Sequence, residues 1–281
     1  MLMETFVFLF GLIVGSFINV LVLRLKAGEE KGWESKKIWD DISFTPSHCP
    51  QCNHNLSWPD LFPVLSFVFL GGKCRYCKKN ISRQYPLVEL VCGILFLVAY
   101  WQFGFDCWLA AFYAIIFSLL LALFVFDLKY MLISEEVASV CGVFVFFAHF
   151  YVYYSQALTP ILSWSFWQGF GQYIWPYLLG AAVLALPFFI LYVISKEKWM
   201  GFGDVELGLL LGFIISLKFV LINFFVAVVL GAIISVALIL MGKKTLKSEV
   251  PFGPFLIIGN LCALLWGAQI LEKYSNYFFV W

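Results

Sequence analysis

The chain is 281 residues long, 63% hydrophobic, 20% aromatic and 12% charged, with a formal net charge of +1 and a mean hydropathy of +0.92. That balance lies far from soluble-protein norms and excludes a soluble enzyme; the sequence is that of an integral membrane protein. Nothing in it points to a nucleic-acid partner.

A transmembrane helix needs ~20 mostly apolar residues to cross the ~30 Å hydrocarbon core. Apolar runs between charge clusters predict spans near 3–23, 85–104, 107–126, 135–154, 173–195, 204–217, 219–241 and 251–271, of which 204–217 is short for a full crossing. The expected fold is an all-α polytopic membrane protein of about eight transmembrane helices. A small cytoplasmic zinc-ribbon-like loop domain follows the first helix. The division is 1–23 for the first helix, 24–84 for the loop domain and 85–281 for a membrane core of about seven helices. With the N-terminus outside, the connections 24–84, 127–134, 196–203 and 242–250 face inward and hold ten, one, two and three Lys/Arg, 16 of the chain's 18. The positive-inside rule selects that orientation.

The first span resembles a signal peptide in place and hydropathy. Its positive charges, Arg24 and Lys26, follow the apolar stretch, and no small-residue cleavage site is evident, so it reads as a retained helix. Gly11, Gly15 and Ser16 on it favour close helix packing.

Residues 24–84 carry four of the eight cysteines, as Cys49-Pro-Gln-Cys52 and Cys74-Arg-Tyr-Cys77. Each knuckle can aim two thiolates at one tetrahedral ion, so the pair reads as a four-sulfur zinc site. Zinc would fold a piece too small for its own core. The alternatives are two disulfides or unshared surface thiols, and the cytoplasmic placement disfavours the former. Four thiolates leave no open position for water, so the expected role is structural. His48 and His54 flank the first knuckle and read as loop residues. Cys92, Cys107, Cys141 and Cys262 read as packing residues.

Two aspartates carry the chemistry. Asp127, in Phe126-Asp127-Leu128-Lys129-Tyr130, closes the third span, and Asp204, in Gly201-Phe202-Gly203-Asp204, opens the sixth. An ionisable residue at a membrane border is a functional hypothesis by default. Aspartyl proteolysis needs two carboxyls sharing a proton, one ionised to activate water and one protonated to polarise the scissile carbonyl. The topology puts this pair at one membrane face. Gly201 and Gly203 would let backbone or extended substrate approach closely, in dihedrals other residues resist. Each aspartate also has a structural reading: Asp204 as the N-cap of its helix, and Asp127 as a solvated boundary residue paired with Lys129.

Further along, Trp164, Trp167, Tyr173, Trp175 and Tyr177 read as an interfacial belt on an outside connection. His149 reads as a packed residue, and Lys243, Lys244 and Lys247 as a topogenic, lipid-facing patch.

Gly201-Phe202-Gly203-Asp204 matches the G-x-G-D motif of intramembrane aspartyl proteases, and the chain resembles the type IV prepilin peptidases over nearly its whole length. The resemblance includes Gly11 to Val20, both cysteine knuckles, Tyr85-Pro86-Leu87-Val88-Glu89-Leu90 and Pro251-Phe252-Gly253-Pro254-Phe255. It implies a bacterial inner-membrane enzyme that removes the short basic leader of a prepilin or pseudopilin substrate, cutting at the cytoplasmic face after a glycine. It also implies methylation of the new N-terminus with S-adenosylmethionine as donor. On that reading Glu89, with Gly93 one turn on, is the candidate to hold the new ammonium group. Glu89 has structural readings too, a salt bridge to Arg83 or a hydrogen bond across helices.

There are two departures from the family pattern: Ser134-Glu135 stands where Pro-Asp is common, and Glu206 where a lysine is often found. Ser134 is expected to cap the fourth span. The competing class is a proton-coupled transporter with the two aspartates as relay groups, although such proteins place sites near the midplane and show internal repeats. A zinc-ribbon membrane scaffold without catalysis is the third.

Overall fold

The computed structural model describes residues 2–33, 35–157, 161, 163–198, 200–245, 248 and 250–278. Among these residues there are ten α-helices and no β-strand: α1 (Leu2–Glu30), α2 (Ser35–Phe44), α3 (Leu65–Phe69), α4 (Gln84–Phe103), α5 (Cys107–Tyr130), α6 (Glu135–Gln156), α7 (Trp164–Ser195), α8 (Phe202–Ile214), α9 (Leu217–Leu240) and α10 (Gly253–Phe278). Seven of them, all but α2, α3 and α8, are long and apolar enough to cross a membrane. Helix α8 stands where the short span 204–217 is predicted and has 13 residues.

Helices α1 and α10 run past their expected ends at 23 and 271, to Glu30 and Phe278, and two further boundaries bear on candidate residues. Helix α5 runs on to Tyr130, so Asp127 lies within its last turn and not beyond its end. Helix α7 starts at Trp164, which puts Trp164, Trp167, Tyr173, Trp175 and Tyr177 on a helix and not on a connection. The cause is local: the Ser163 hydroxyl accepts the Phe166 N–H at 3.2 Å and caps the helix early. Lys243 and Lys244 follow α9, and Lys247 lies outside the described residues.

The chain forms two compact units, Met1–Ala122 and Leu123–Trp281. In the first, α1 and α4 lie against each other through glycine. A β-carbon at Gly11 would come 2.8 Å from Gly93 Cα, and one at Gly15 would come 2.7 Å from Glu89 Cα. Only a missing side chain lets the two backbones approach so closely. Asn19 Nδ2 spans the same interface, donating to the Tyr85 carbonyl at 3.2 Å. At the end of α1 the buried Arg24 guanidinium donates to the carbonyls of Asp41, Ile42, Thr45 and Pro46. These include carbonyls left without partners where α2 ends, so one cation satisfies them and fixes the helix to α1.

The loop between α2 and α4 is built twice over. In each knuckle the first cysteine's N–H bonds to the carbonyl five residues on, Cys49 to His54 and Cys74 to Lys79, both at 2.9 Å. The residue after each second cysteine, Asn53 or Lys78, turns the chain at φ 54° or 59°. Each knuckle closes with an antiparallel bridge, His48 to Asn55 and Lys73 to Asn80. Asp60 ties the intervening segment to the second knuckle, accepting from Arg75 Nε at 2.7 Å, Ser57 Oγ at 2.8 Å and Tyr76 Oη at 3.1 Å. Partial burial alone would raise its carboxyl, but these donors outweigh it and hold the group below the usual carboxylate range.

In the second unit α8 packs against α6, α7 and α10. A β-carbon at Gly180 would lie 2.8 Å from the Gly212 carbonyl, so α7 and α8 touch backbone to backbone. Asn260 Nδ2 donates to the Leu211 carbonyl at 2.8 Å, and a His149 ring nitrogen lies 3.0 Å from the Phe213 carbonyl oxygen. Both supply partners to carbonyls at the C-terminus of α8. A helix enclosed and capped in this way has no need of a full membrane-crossing length, which accounts for its 13 residues. His149 is thereby a packed residue, against Tyr177 and Phe213, as its Phe-rich surroundings suggest.

Candidate active site and cysteine centre

Three helix ends of the second unit supply the carboxylate site. Asp127 comes from the last turn of α5, Asp204 from the first turn of α8, and Gly253 opens α10. The charge of Asp204 bears directly on Asp127, and the Gly253 N–H is directed at the Asp127 carboxylate. The two aspartates, 77 residues apart in sequence, are therefore neighbours. Asp127 is 5% exposed, which is incompatible with a solvated boundary residue. Its Oδ2 is buried and has no hydrogen-bond partner among the described residues.

Asp204 is the third residue of α8, and Gly201 is the N-cap, so the reading of Asp204 as the cap is corrected by two added residues of helix. As a first-turn acid it still faces the positive end of the helix dipole. The glycines before it differ from one another. Gly201 sits at φ −78°, ψ 160°, a conformation open to any residue, and a β-carbon there would meet nothing within 4 Å. The expected need for unusual dihedrals is absent at this position. Gly203 is tight, since a β-carbon would come 2.9 Å from Ile133 Cγ1.

Gly253 is the residue whose role sequence reasoning misses. A β-carbon on it would overlap Asp127 Oδ2 and press on Leu207 Cδ2 at 3.0 Å. Its signal was present in Pro251-Phe252-Gly253-Pro254-Phe255, a glycine between prolines at a helix start, but only the fold shows what it approaches.

The departures from the family pattern fall around this site without entering it. Glu206 has Glu135 as its charged neighbour, consistent with an i, i+2 residue pointing away from Asp204. Ser134 does occupy the N-cap of α6, but its hydroxyl donates to Glu136 Oε2 at 3.0 Å and makes no capping bond to the backbone.

In the first unit the sulfur atoms of Cys49, Cys52, Cys74 and Cys77 all lie within 4.8 Å of one another, and none is in a disulfide. A tetrahedral ion with Zn–S bonds of about 2.3 Å holds its sulfurs ~3.8 Å apart, so the four thiols fit such an ion with small adjustment. The Cys77 and Tyr76 N–H groups point at the Cys74 sulfur and lower its pKa to about 7 against the cost of burial.

Glu89 and Gly93 belong to the α1–α4 interface. Glu89 Oε2 accepts the Val64 N–H at 2.7 Å, and the Ser16 hydroxyl is its second partner. The open side of Gly93 is covered by Phe8 and Leu12. Of the alternatives for Glu89, a hydrogen bond across helices is present, together with one to the loop.

The molecule is thus a polytopic helical membrane protein with a carboxylate pair in one unit, Asp127 buried and Asp204 half-buried, and a four-cysteine centre in the other. A family model described as the bacterial peptidase A24 N-terminal domain matches residues 9–103, and one described as the type IV leader peptidase family matches residues 114–236. Among curated proteins, a prepilin leader peptidase/N-methyltransferase of Bacillus subtilis strain 168 is 32% identical, over 97% of this chain and 98% of the relative. Proteins of the same description from Pseudomonas aeruginosa and Stutzerimonas stutzeri are 30% and 28% identical, covering 96% and 95% of this chain and 92% of each relative. No solved structure matches the chain. The chain belongs to the type IV leader peptidase family.

Proposed function

We propose that this protein is a membrane-embedded aspartyl endopeptidase that removes the leader of prepilin or pseudopilin substrates and then N-methylates the new terminus. The observation that carries the peptidase reading is the juxtaposition of Asp127 and Asp204 beside the Gly253 N–H. One carboxylate takes a proton from water as it attacks the scissile carbonyl, and the other, protonated, polarises that carbonyl and later supplies the amine leaving group with its proton. Asp127 Oδ2, which has no hydrogen-bond partner among the described residues, is the acceptor proposed for water or substrate. The site lies at helix ends, which suits a bond cut next to a substrate's own apolar helix. Gly203, packed on Ile133, keeps the start of α8 close to the end of α5, and Gly201 leaves space before it.

Methyl transfer rests on the relatives' description, with S-adenosylmethionine as donor and Glu89 and Gly93 as the positions proposed to take part. The orientation proposed is N-terminus outside, with the cysteine loop and both aspartates at the cytoplasmic face of a bacterial inner membrane. A transporter reading gains no support from the family membership.

The test is incubation of the purified protein with a prepilin-like substrate, with and without S-adenosylmethionine, read by intact mass. Leader loss in both reactions and one added methyl only with the donor is the expected result; no cleavage of any prepilin-like substrate overturns the proposal.

We assign the four-cysteine centre a structural zinc ion, held by Cys49, Cys52, Cys74 and Cys77. Cys49→Ser or Cys74→Ser is expected to reduce bound zinc from one per chain to near zero by elemental analysis. The loop should become protease-sensitive while leader cleavage partly persists, because no ligand belongs to the carboxylate site. Wild-type protein free of zinc would end this assignment.

A further inference from the structure

The cysteine loop exposes an apolar surface outside every membrane-spanning helix. Phe69 is 84% exposed, Trp58 73% and Val68 65%, with Phe62 and Leu65 about half exposed. They are carried by the short turn at Trp58–Asp60, by Phe62 after it and by α3, and Phe62, Leu65 and Phe69 line an open groove together with Arg75. On the crossing helices such exposure is explained by lipid. On a loop that also carries a polar zinc-type centre it needs a separate account.

The position of the loop along α4 supplies one. Val64 stands immediately before α3, and its N–H is bonded at 2.7 Å to Glu89, the sixth residue of α4. With 20 residues, α4 has the length of one hydrocarbon crossing, so its first residue lies near the hydrocarbon boundary. At 1.5 Å per residue Glu89 lies roughly 7–8 Å further in. Interfacial elements bury their apolar faces about 5–10 Å into the headgroup and acyl boundary.

The latch is also conformationally demanding. Val64 adopts φ 61°, ψ −48°, and the Leu65 N–H bonds back to the Pro63 carbonyl, a positive-φ γ-turn that a β-branched residue resists. The bond to Glu89 offsets that cost and holds α3 at this depth. Charge agrees with the placement: from Trp58 to Val88 the chain has five Lys/Arg against one acid, Asp60, which is paired with Arg75. Exposed Lys73, Lys78, Lys79 and Arg83 follow the apolar segment, in the arrangement that meets anionic headgroups above a buried apolar face.

The geometry points to the segment Trp58–Phe69 as a monotopic anchor that inserts into the lipid interface beside α4, with anionic phospholipid as its partner. It fixes the cysteine loop against the bilayer at a constant height.

The test places the photo-cross-linker p-benzoylphenylalanine at position 69 of the full-length protein in nanodiscs containing phosphatidylglycerol, with exposed position 51 in the first knuckle as the control. Adducts are read by mass spectrometry after irradiation, with zinc content and leader cleavage recorded to show that each variant is folded. Phospholipid adducts at least about tenfold more abundant at position 69 than at 51 are expected for a side chain buried in the acyl boundary. Equal adducts at the two positions, or none at 69, overturn the proposal. If a prepilin-like peptide captures position 69 in place of lipid, the face is a substrate dock and the proposal also fails.

Discussion

Asp127→Asn and Asp204→Asn will each lower leader cleavage by at least about 10³-fold, equivalent to roughly 4 kcal/mol of lost transition-state stabilisation. Asparagine preserves the shape of both side chains, so α5 and α8 keep their packing, but an amide neither takes a proton from water nor gives one to the leaving group. Because the two carboxyls act as a unit, the double variant should be no worse than the poorer single one. The measurement is single-turnover cleavage by intact mass, with thermal unfolding as the check on folding. A structural role alone would produce the opposite pattern, unfolding at lower temperature with activity retained in proportion to the folded fraction. Methyl transfer offers an internal control: on a substrate supplied without its leader, both variants should still add a methyl group, since Glu89 and Gly93 belong to the other compact unit. Loss of both activities together would mean that the aspartates serve the fold.

The parts of this structure that were legible in the sequence are those that lipid and metal chemistry constrain without help from neighbours. Hydropathy marks the seven long spans because nothing else in a protein needs ~20 apolar residues in a row. The two C-x-x-C pairs mark the centre formed by Cys49, Cys52, Cys74 and Cys77 because thiols at that spacing can converge on one point. What escaped depended on tertiary contact. Helix α8 reads as a weak span because its enclosure by α6, α7 and α10 is invisible in one dimension. The sequence pattern ends α5 before Asp127 because a charge ordinarily terminates an apolar run, whereas here a buried position accommodates it within the helix. Glu89 showed only that an acid sits in a span; its bond to the Val64 N–H comes from a loop residue 25 positions earlier. The two glycines of the G-x-G-D motif look equivalent as letters. Only coordinates separate Gly203, packed on Ile133, from Gly201, where a β-carbon would meet nothing within 4 Å.

The same steric reasoning yields the sharpest test of the site's geometry, Gly253→Ala. One methyl group is added, and it has no room: Asp127 Oδ2 lies on one side and Leu207 on the other. The neighbour that must yield is the carboxylate, or else the start of α10 must move and withdraw its N–H from Asp127. Either response misplaces the reacting groups, and a displacement of about 1 Å typically costs on the order of 10²-fold in rate. Overpacking of a single methyl costs about 1–3 kcal/mol of stability at most, so the protein should remain folded. Gly171→Ala makes the identical chemical change on α7 at an exposed position where a β-carbon meets nothing within 4 Å. Helix propensity there favours alanine by up to about 1 kcal/mol, so this variant should cleave as wild type and unfold no earlier. Gly203→Ala should fall between them, because the atoms it meets, Ile133 Cγ1 at 2.9 Å and Cβ at 3.2 Å, belong to a packing side chain and not to the reacting group. The expected order of cleavage rates, fastest first, is therefore Gly171→Ala, Gly203→Ala, Gly253→Ala, measured with saturating substrate so that kcat is read. If Gly253→Ala cleaves as fast as wild type, the start of α10 does not lie against Asp127 in the working enzyme, and the juxtaposition on which the peptidase site is built would have to be redrawn.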